Sequence, residues 1–455
     1  MSGPATGSGE PITDKYQLVE YLAAGCKPPP AWRIGSEHER FTFTVGDRCP
    51  LPHGGPRGVE TLLEGLQGSN WQPVREGTAL IALASADGST VSLEPGGQFE
   101  LSAAPVQTVH DIARVVREHH RAVSAVARPL GIGLLSLGFQ PRWRREEIPW
   151  MPKSRYAIMR DHMPTVGRLG LDMMLRTCTA QVNLDYESEA DMVCKYRVAL
   201  ALQPVATALF ANSPFVDGRP SGFLSYRSHI WTDTDPHRCG MVPFVFAADM
   251  GFERYVDYML DVPLYFVYRN GHHIDARGQS FRAFMAGRLP ALPGERPTVT
   301  DWANHLTTAF PEVRLKRFLE MRGADTGPPA RVCALSALWS GILYDSAALA
   351  AAAALILDWT DEERERLRRD VPRLGLKTPF RRQTVRDVAI RMLSIAREGL
   401  GARRRRDAAG EDEQRYLDPL FAIAESGKTP AEHLLENYFG RWKRSVDPVF
   451  DEMEE

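Results

Sequence analysis

Carboxylates and amides recur in this chain at every second position of segments that read as strands. Over residues 32–43, Glu37 and Glu39 share one parity with Phe41, beside Gly35, which permits close backbone approach. Over 177–185, Thr179, Gln181 and Asn183 alternate with Cys178, Ala180 and Val182. Over 313–322, Arg314, Lys316, Glu320 and Arg322 fall on one face, and Glu94 precedes a Pro95-Gly96-Gly97 turn after which Gln98, Glu100 and Ser102 share a side. Side chains of a strand repeat every two residues, so each set is a face. The bland reading of any one of them is a solvated edge strand. Phe41 and Phe43, on the parity of Glu37 and Glu39, argue that this face is covered.

Carboxylates gathered in a cleft repel one another by roughly 3 kcal/mol per pair at ~5 Å and an effective dielectric of ~20. They stay ionised together only with cations between them. Magnesium, bound by oxygen and shared with substrate phosphates, answers that need. No cluster of His and Cys favours zinc. Arginine's planar fork suits carboxylate and phosphate oxygens, and Arg155, Arg176, Arg227 and Arg322 are the anion-binding candidates, although a single arginine is most often a surface residue. Arg227 and Trp231 share a side if 222–231 is a strand. No Ser/His/Asp or Cys/His arrangement points to a side-chain nucleophile.

These faces need a sheet and helices to back it. Helical spacing is expected over 15–24, 106–130, 191–210 and 331–357, with a further helix opened by Thr360 and Glu363 as a capping box. Strand character is expected at 134–139, 222–231 and 263–268, the last turning back at Gly271. Almost everything after 331 is helical. The expected organisation is a disordered tail at 1–13, a catalytic sheet-and-helix core at 14–330, and a helical region at 331–455 packed on that core as one unit. Of the 455 residues 44% are apolar and 25% charged, as in a globular protein. A net charge of −2 gives no case for nucleic acid as a partner, and no apolar run reaches the roughly eighteen residues of a membrane span.

Residues 1–10 have neither an apolar core nor an arginine, so neither a signal nor a transit peptide is expected there. The six cysteines (Cys26, Cys49, Cys178, Cys194, Cys239 and Cys333) are scattered, which fits a reducing, cytoplasmic setting. Two features are decoys. Gly427-Lys428-Thr429 ends like a phosphate loop, but the loop glycine is replaced by Ala422, and Thr429-Pro430 reads better as a helix start. Arg403 to Arg406 is balanced by nearby acids and is expected to be a solvated loop.

Taken together, these segments resemble plant-type glutamate–cysteine ligase, the form shared by plants and many proteobacteria, over nearly the whole chain from Trp32 onward. The resemblance rests on Ile34-Gly-Ser-Glu-His-Glu-Arg40, Leu93-Glu-Pro-Gly-Gly-Gln-Phe-Glu-Leu-Ser102, Gly138-Phe-Gln-Pro141 and Met151-Pro-Lys-Ser-Arg-Tyr156. It continues through Gly170-Leu-Asp-Met-Met174, Arg176-Thr-Cys-Thr-Ala-Gln-Val-Asn-Leu-Asp185, Ser228-His-Ile-Trp-Thr-Asp-Thr-Asp235, Asp261-Val-Pro263 and Leu319-Glu-Met-Arg-Gly-Ala-Asp325. It implies an α+β, glutamine synthetase-like fold: a curved, largely antiparallel sheet forming a funnel, packed outside by helices, with a helical C-terminal region. It also implies ATP-dependent joining of the glutamate side-chain carboxylate to the cysteine amine through a γ-glutamyl phosphate, the first step of glutathione biosynthesis.

Carried over residue by residue, the resemblance makes Glu37, Glu39, Glu94, Glu100, Gln181 and Glu320 metal or metal–phosphate ligands for Mg2+. Glu39, Arg227, Glu320 and Arg322 become the catalytic set, and Lys316 and Arg322 contacts for ATP. Arg155, Arg176, Thr179, Arg227 and Trp231 are then glutamate-site residues, and Tyr265 belongs to the cysteine pocket. The implied partners are glutamate, cysteine and ATP, with the chain a monomer or weak homodimer. The chain departs from the plant pattern where two regulatory disulfides are expected. Ala276 and Ala291 stand for one pair, and Ala113 stands opposite Cys333 in the other. With the thiol switch and a chloroplast address both missing, a bacterial enzyme is expected. Two other readings stay open: a ligase using a different amine, distinguished by a residue or two near Tyr265, and an inactive homologue that binds nucleotide or glutamate. The second is disfavoured because the acidic and arginine positions are all present.

Overall fold

Strands with one polar and one apolar side must bury the apolar side. Here nine strands join in one antiparallel sheet, and all but the edge strand Trp71–Glu76 bury residues. The structure, a computed structural model, describes residues 9–68 and 70–453. The strands are β1 (Ile34–Thr44), β2 (Trp71–Glu76), β3 (Ala79–Ser85), β4 (Thr90–Leu93), β5 (Phe99–Ser102), β6 (Ile132–Leu135), β7 (Thr179–Leu184), β8 (Val313–Leu315) and β9 (Leu319–Asp325). Their order is β8-β9-β7-β1-β5-β4-β3-β2. The first half of β1 lies between β5 and β7, and its second half leaves them to pair with β6.

The apolar parity supplies the cores. Ile34, Val182, Leu184, Leu319 and Met321 pack with the helices Glu189–Phe210 and Pro329–Leu343. Val91, Leu93, Phe99 and Leu101 pack with Val123 and Ala127 of the helix Val109–Leu130. Phe41 and Phe43 do not cover the carboxylates, as their parity suggests. Beyond the point where β1 changes partners, they enter a third core with Leu135, Cys178, Tyr438 and Phe450.

Several elements differ from the expectation, each for a local reason. The span 331–357 is two helices, Pro329–Leu343 and Ser346–Ile356, bent by 89°. Asp345 breaks it by capping the second helix through the Ala348 N–H. The span 313–322 is a hairpin in which Arg314 pairs with Glu320. The span 222–231 contains the helix Tyr226–Ile230, capped by Ser225. Of the expected tail, residues 1–8 lie outside the described residues, while Pro11 bridges Thr298 and Ile12 is buried.

Arg403 is not solvated: it ends the helix Val385–Arg403 and pairs at 3.2 Å with the buried Glu413. Gly427-Lys428-Thr429 is a left-handed helix stop followed by a capping box, with Lys428 paired to Glu436. Among the described residues no single helix is long and apolar enough to cross a membrane.

The helices Pro329–Leu343 and Val385–Arg403 cross at glycine. A Cβ on Gly399 would stand 1.9 Å from the Gly341 carbonyl oxygen, and one on Gly341 2.4 Å from that of Ala396. Alanine favours a helix over glycine by ~1 kcal/mol, yet Gly399→Ala is expected to destabilise the protein by roughly 1–3 kcal/mol, because it overpacks backbone against backbone. Urea unfolding reads the sign, and a stabilised variant would mean that the two helices are not in contact there.

Candidate active site

The register of the sheet assembles the polar face. Glu39 stands directly opposite Glu100, and Glu37 stands between Gln181 and Ser102. Glu320 stands opposite Asn183 on one side and Arg314 on the other. Glu94 joins from the turn after β4, where its N–H donates to the Gln98 carbonyl at 2.8 Å. The amide of Gln98 is occupied, donating to the Met174 and Thr177 carbonyls at 3.0 Å each.

Charge on this face is segregated. At one end Glu320, fully buried, receives Arg314 Nε at 2.6 Å, Lys316 Nζ at 3.0 Å and Arg322 Nη1 at 2.8 Å. Burial works against its charge, yet Arg314, Lys316 and Arg322 together hold its carboxyl well below the usual carboxylate range. Arg322 also donates to Gln181 Oε1 at 2.5 Å. At the other end are Glu39, Glu94 and Glu100, with no salt bridge to any of them among the described residues. Each takes a neutral donor instead. Glu39 accepts the Thr179 N–H at 3.0 Å, Glu94 the Tyr156 hydroxyl at 3.3 Å, and Glu100 the Ser102 hydroxyl at 2.5 Å. Burial, then Glu100 and Glu94, push the Glu39 carboxyl well above its ordinary value. Burial, with Glu94 and Glu37, pushes Glu100 up to about 8.

Between these ends lies a cleft lined by Glu39, Glu94, Arg155, Thr179, Arg227, Trp231 and Arg322, among others. Arg227 and Trp231 are four residues apart on a helical turn rather than two strand steps apart, and a spacing of four puts them on one side in either case. Arg227 is 3% exposed. Its Nη2 donates to the Arg322 carbonyl at 2.8 Å, while its Nε and Nη1, and Trp231 Nε1, are buried without a hydrogen-bond partner among the described residues. The Arg322 carbonyl is turned toward Arg227 by a bulge between Met321 and Ala324. Gly323 is required there because a Cβ would meet the buried Gln203 amide at 2.5 Å.

Two expected residues are not brought to the cleft. Arg176 is held by Asp172 at 3.1 Å and Asp217 at 2.6 Å, over the Phe139 ring. Tyr265 is fully buried under the Arg238 guanidinium at 3.7 Å, and its neighbour Phe266 lies against Arg155 instead. Lys316 lies at the cationic end, spent on Glu320. The six expected ligands do not converge either. Among the described residues no three His, Cys, Asp or Glu side chains form a group able to hold a metal ion, and Glu320 and Gln181 are already taken by cations.

Sequence reasoning missed Asp325, buried behind Arg227, and the apolar wall of Met159 and Met173. Asp325 was legible only as the end of the 319–325 run. The methionines carried no polar signal at all.

The glutamate–cysteine ligase family 2 (GCS2) model matches residues 33–452. The chain belongs to this family. It is 56% identical over 444 residues to the chloroplastic glutamate–cysteine ligase of Brassica juncea, covering 98% of this chain and 84% of that one. It is 56% identical over 445 residues to that of Arabidopsis thaliana, covering 98% and 83%. Its fold matches the crystal structure of a glutamate–cysteine ligase from Francisella tularensis in complex with AMP, with a TM-score of 0.54 at 12% identity, covering 93% of this chain and 87% of that one. The expected cytoplasmic setting is overturned, because the similar relatives are chloroplastic enzymes. Unpaired cysteines mark a reducing compartment, which the cytoplasm is not alone in providing.

The two ends of the face differ in what neutralisation does. Glu320→Gln strands three buried cations and should cost roughly 3–5 kcal/mol. Glu39→Gln relieves repulsion and should leave the melting temperature of the metal-free protein unchanged or raised. Calorimetry in chelator compares them, and equal losses would refute the segregation of charge.

Proposed function

We propose that the cleft at Arg227 is where this member of the family phosphorylates the glutamate side chain with ATP and passes the γ-glutamyl group to the cysteine amine, the first step of glutathione biosynthesis. The observation that carries the reading is the buried edge of Arg227, without a hydrogen-bond partner among the described residues, facing carboxylates that form no salt bridge among those residues. A substrate carboxylate satisfies the first, and a metal–nucleotide the second.

Each residue has a part set by its chemistry. Arg227 holds a glutamate carboxylate through Nε and Nη1, the fork geometry that arginine provides, with Trp231 Nε1 as a third donor. Thr179 orients Glu39 through its N–H, and Arg155 closes the cleft over the Phe266 and Tyr156 rings. Arg322, with Lys316 behind it, faces the phosphate charge that develops as the γ-phosphoryl group moves. Glu320 keeps both aimed.

The carboxylates fit magnesium in its usual habit, in which one or two protein oxygens are completed by water and phosphate. Glu39 with one of its neighbours Glu100 and Glu94 would supply it with those one or two oxygens. When bound it supplies charge neutralisation of the phosphates. With Tyr265 buried, the Met159 and Met173 wall is the apolar surface left for the cysteine side chain, and soft methionine suits a thiol. A concave, glutamine synthetase-like funnel belongs to the same reading.

With ATP, magnesium and glutamate, phosphate release should depend on cysteine and fall to background with other amines or with chelator. Release independent of cysteine would refute the acceptor. Arg227→Lys keeps charge but not fork, so the KM for glutamate should rise about ten- to hundred-fold, as for loss of a charge-assisted hydrogen bond. The KM for ATP should hold. Both constants unchanged would remove Arg227 from the site.

A further inference from the structure

Arg227 sits on a helix of five residues, Tyr226–Ile230, too short to hold its own direction. Its orientation must come from outside. Asp325, 1% exposed, lies behind it and is not itself part of the cleft lining. Asp325 Oδ2 accepts the Asn212 N–H at 2.8 Å and the Ser213 hydroxyl at 2.7 Å, and Oδ1 accepts the Ser225 hydroxyl at 2.8 Å.

Each serine oxygen then accepts a backbone N–H of the helix: Ser213 from Arg227 at 3.2 Å, and Ser225 from Ser228 at 3.2 Å. We propose that Asp325 is the positioning residue that aims Arg227 at glutamate, acting through Ser213 and Ser225. The inference rests on the assignment of Arg227 to glutamate made above.

Proton direction fixes the arrangement. A hydroxyl has one proton and two lone pairs. Both serine protons are committed to a carboxylate that can only accept, so both oxygens are left to accept from the first N–H groups of the helix, which have no partner within it. The Asn212 N–H fixes the carboxylate itself. Asp325 lies three residues after Arg322 on the strand whose bulge presents the carbonyl that takes Arg227 Nη2. One strand thus holds both the backbone and the guanidinium of Arg227. The fit is close, since a Cβ on Gly138 would stand 2.3 Å from Asp325 Cγ.

Asparagine keeps the shape but not the direction. Its NH2 must face a serine hydroxyl, or one hydroxyl and the Asn212 N–H, so at least one serine proton loses its acceptor and turns toward the helix.

The test varies glutamate and ATP separately in Asp325→Asn, Arg227→Lys, the double variant and Ser225→Ala, with melting temperatures alongside. Asp325→Asn should raise the KM for glutamate about ten-fold and leave that for ATP within about two-fold, and it should add less than about two-fold in the Arg227→Lys background, since residues acting through one another are not additive. Should Asp325→Asn fail to fold, Ser225→Ala carries the same comparison, with an expected rise of about three-fold from loss of a cap. A lower melting temperature with unchanged KM for glutamate overturns the proposal, as does an effect that multiplies in full with that of Arg227→Lys. If Arg227→Lys alone does not move the KM for glutamate, the assignment of Arg227 is what has failed, and the proposal falls with it. If Arg227→Lys does move it and the Asp325 and Ser225 variants do not, only the positioning role is lost.

Discussion

Glu39 and Glu100 face each other across the ladder of β1 and β5, with Glu94 arriving beside them, and none of the three forms a salt bridge among the described residues. Like charges directly opposite in an antiparallel pair destabilise it. The backbone hydrogen bonds on both sides of β1 and the cores behind the sheet hold the register regardless. A one-residue slip would carry the whole apolar set of β1 out of its core. The register therefore keeps these carboxylates together, and burial beside one another pushes the Glu39 and Glu100 carboxyls above their ordinary values.

The opposite end is built on the reverse principle. Glu320 is surrounded by three cations, more than one carboxylate needs, so positive charge remains where Arg322 lines the cleft. Arg227 stands between the ends, buried and with half its fork unsatisfied. Buried polar groups are normally paired, and exceptions of this kind mark where a ligand completes the structure. The bulge at Arg322 joins the two halves, because its carbonyl takes Arg227 while its side chain reaches Glu320.

Much of this face was legible along the chain. Strand parity alone grouped Glu37 with Glu39, Thr179 with Gln181, and Glu320 with Arg314 and Arg322. The last grouping held although 313–322 is a hairpin, because antiparallel pairing of Arg314 with Glu320 preserves parity across the turn. Arg227 and Trp231 likewise share a side in a strand or a helix. What misled was the inference from residue type to role. Arg176 has the right fork, but Asp172, one turn earlier on its own helix, and Asp217 occupy it. Tyr265, placed in the cysteine pocket by the resemblance, instead gives its ring as a platform for Arg238.

The sequence by itself determined which residues share a face, because alternation is a property of the backbone and needs no partner. It also determined the family, through long ordered runs of matching residues. Only the tertiary structure decided which charges are spent and which are left over. Glu320 and Glu39 are the same residue type on the same face, yet one is neutralised by neighbours from β8 and the hairpin turn while the other meets a second carboxylate. That difference is set by which strands lie side by side. Burial then makes it matter, since charges removed from water interact far more strongly with whatever the fold has placed next to them.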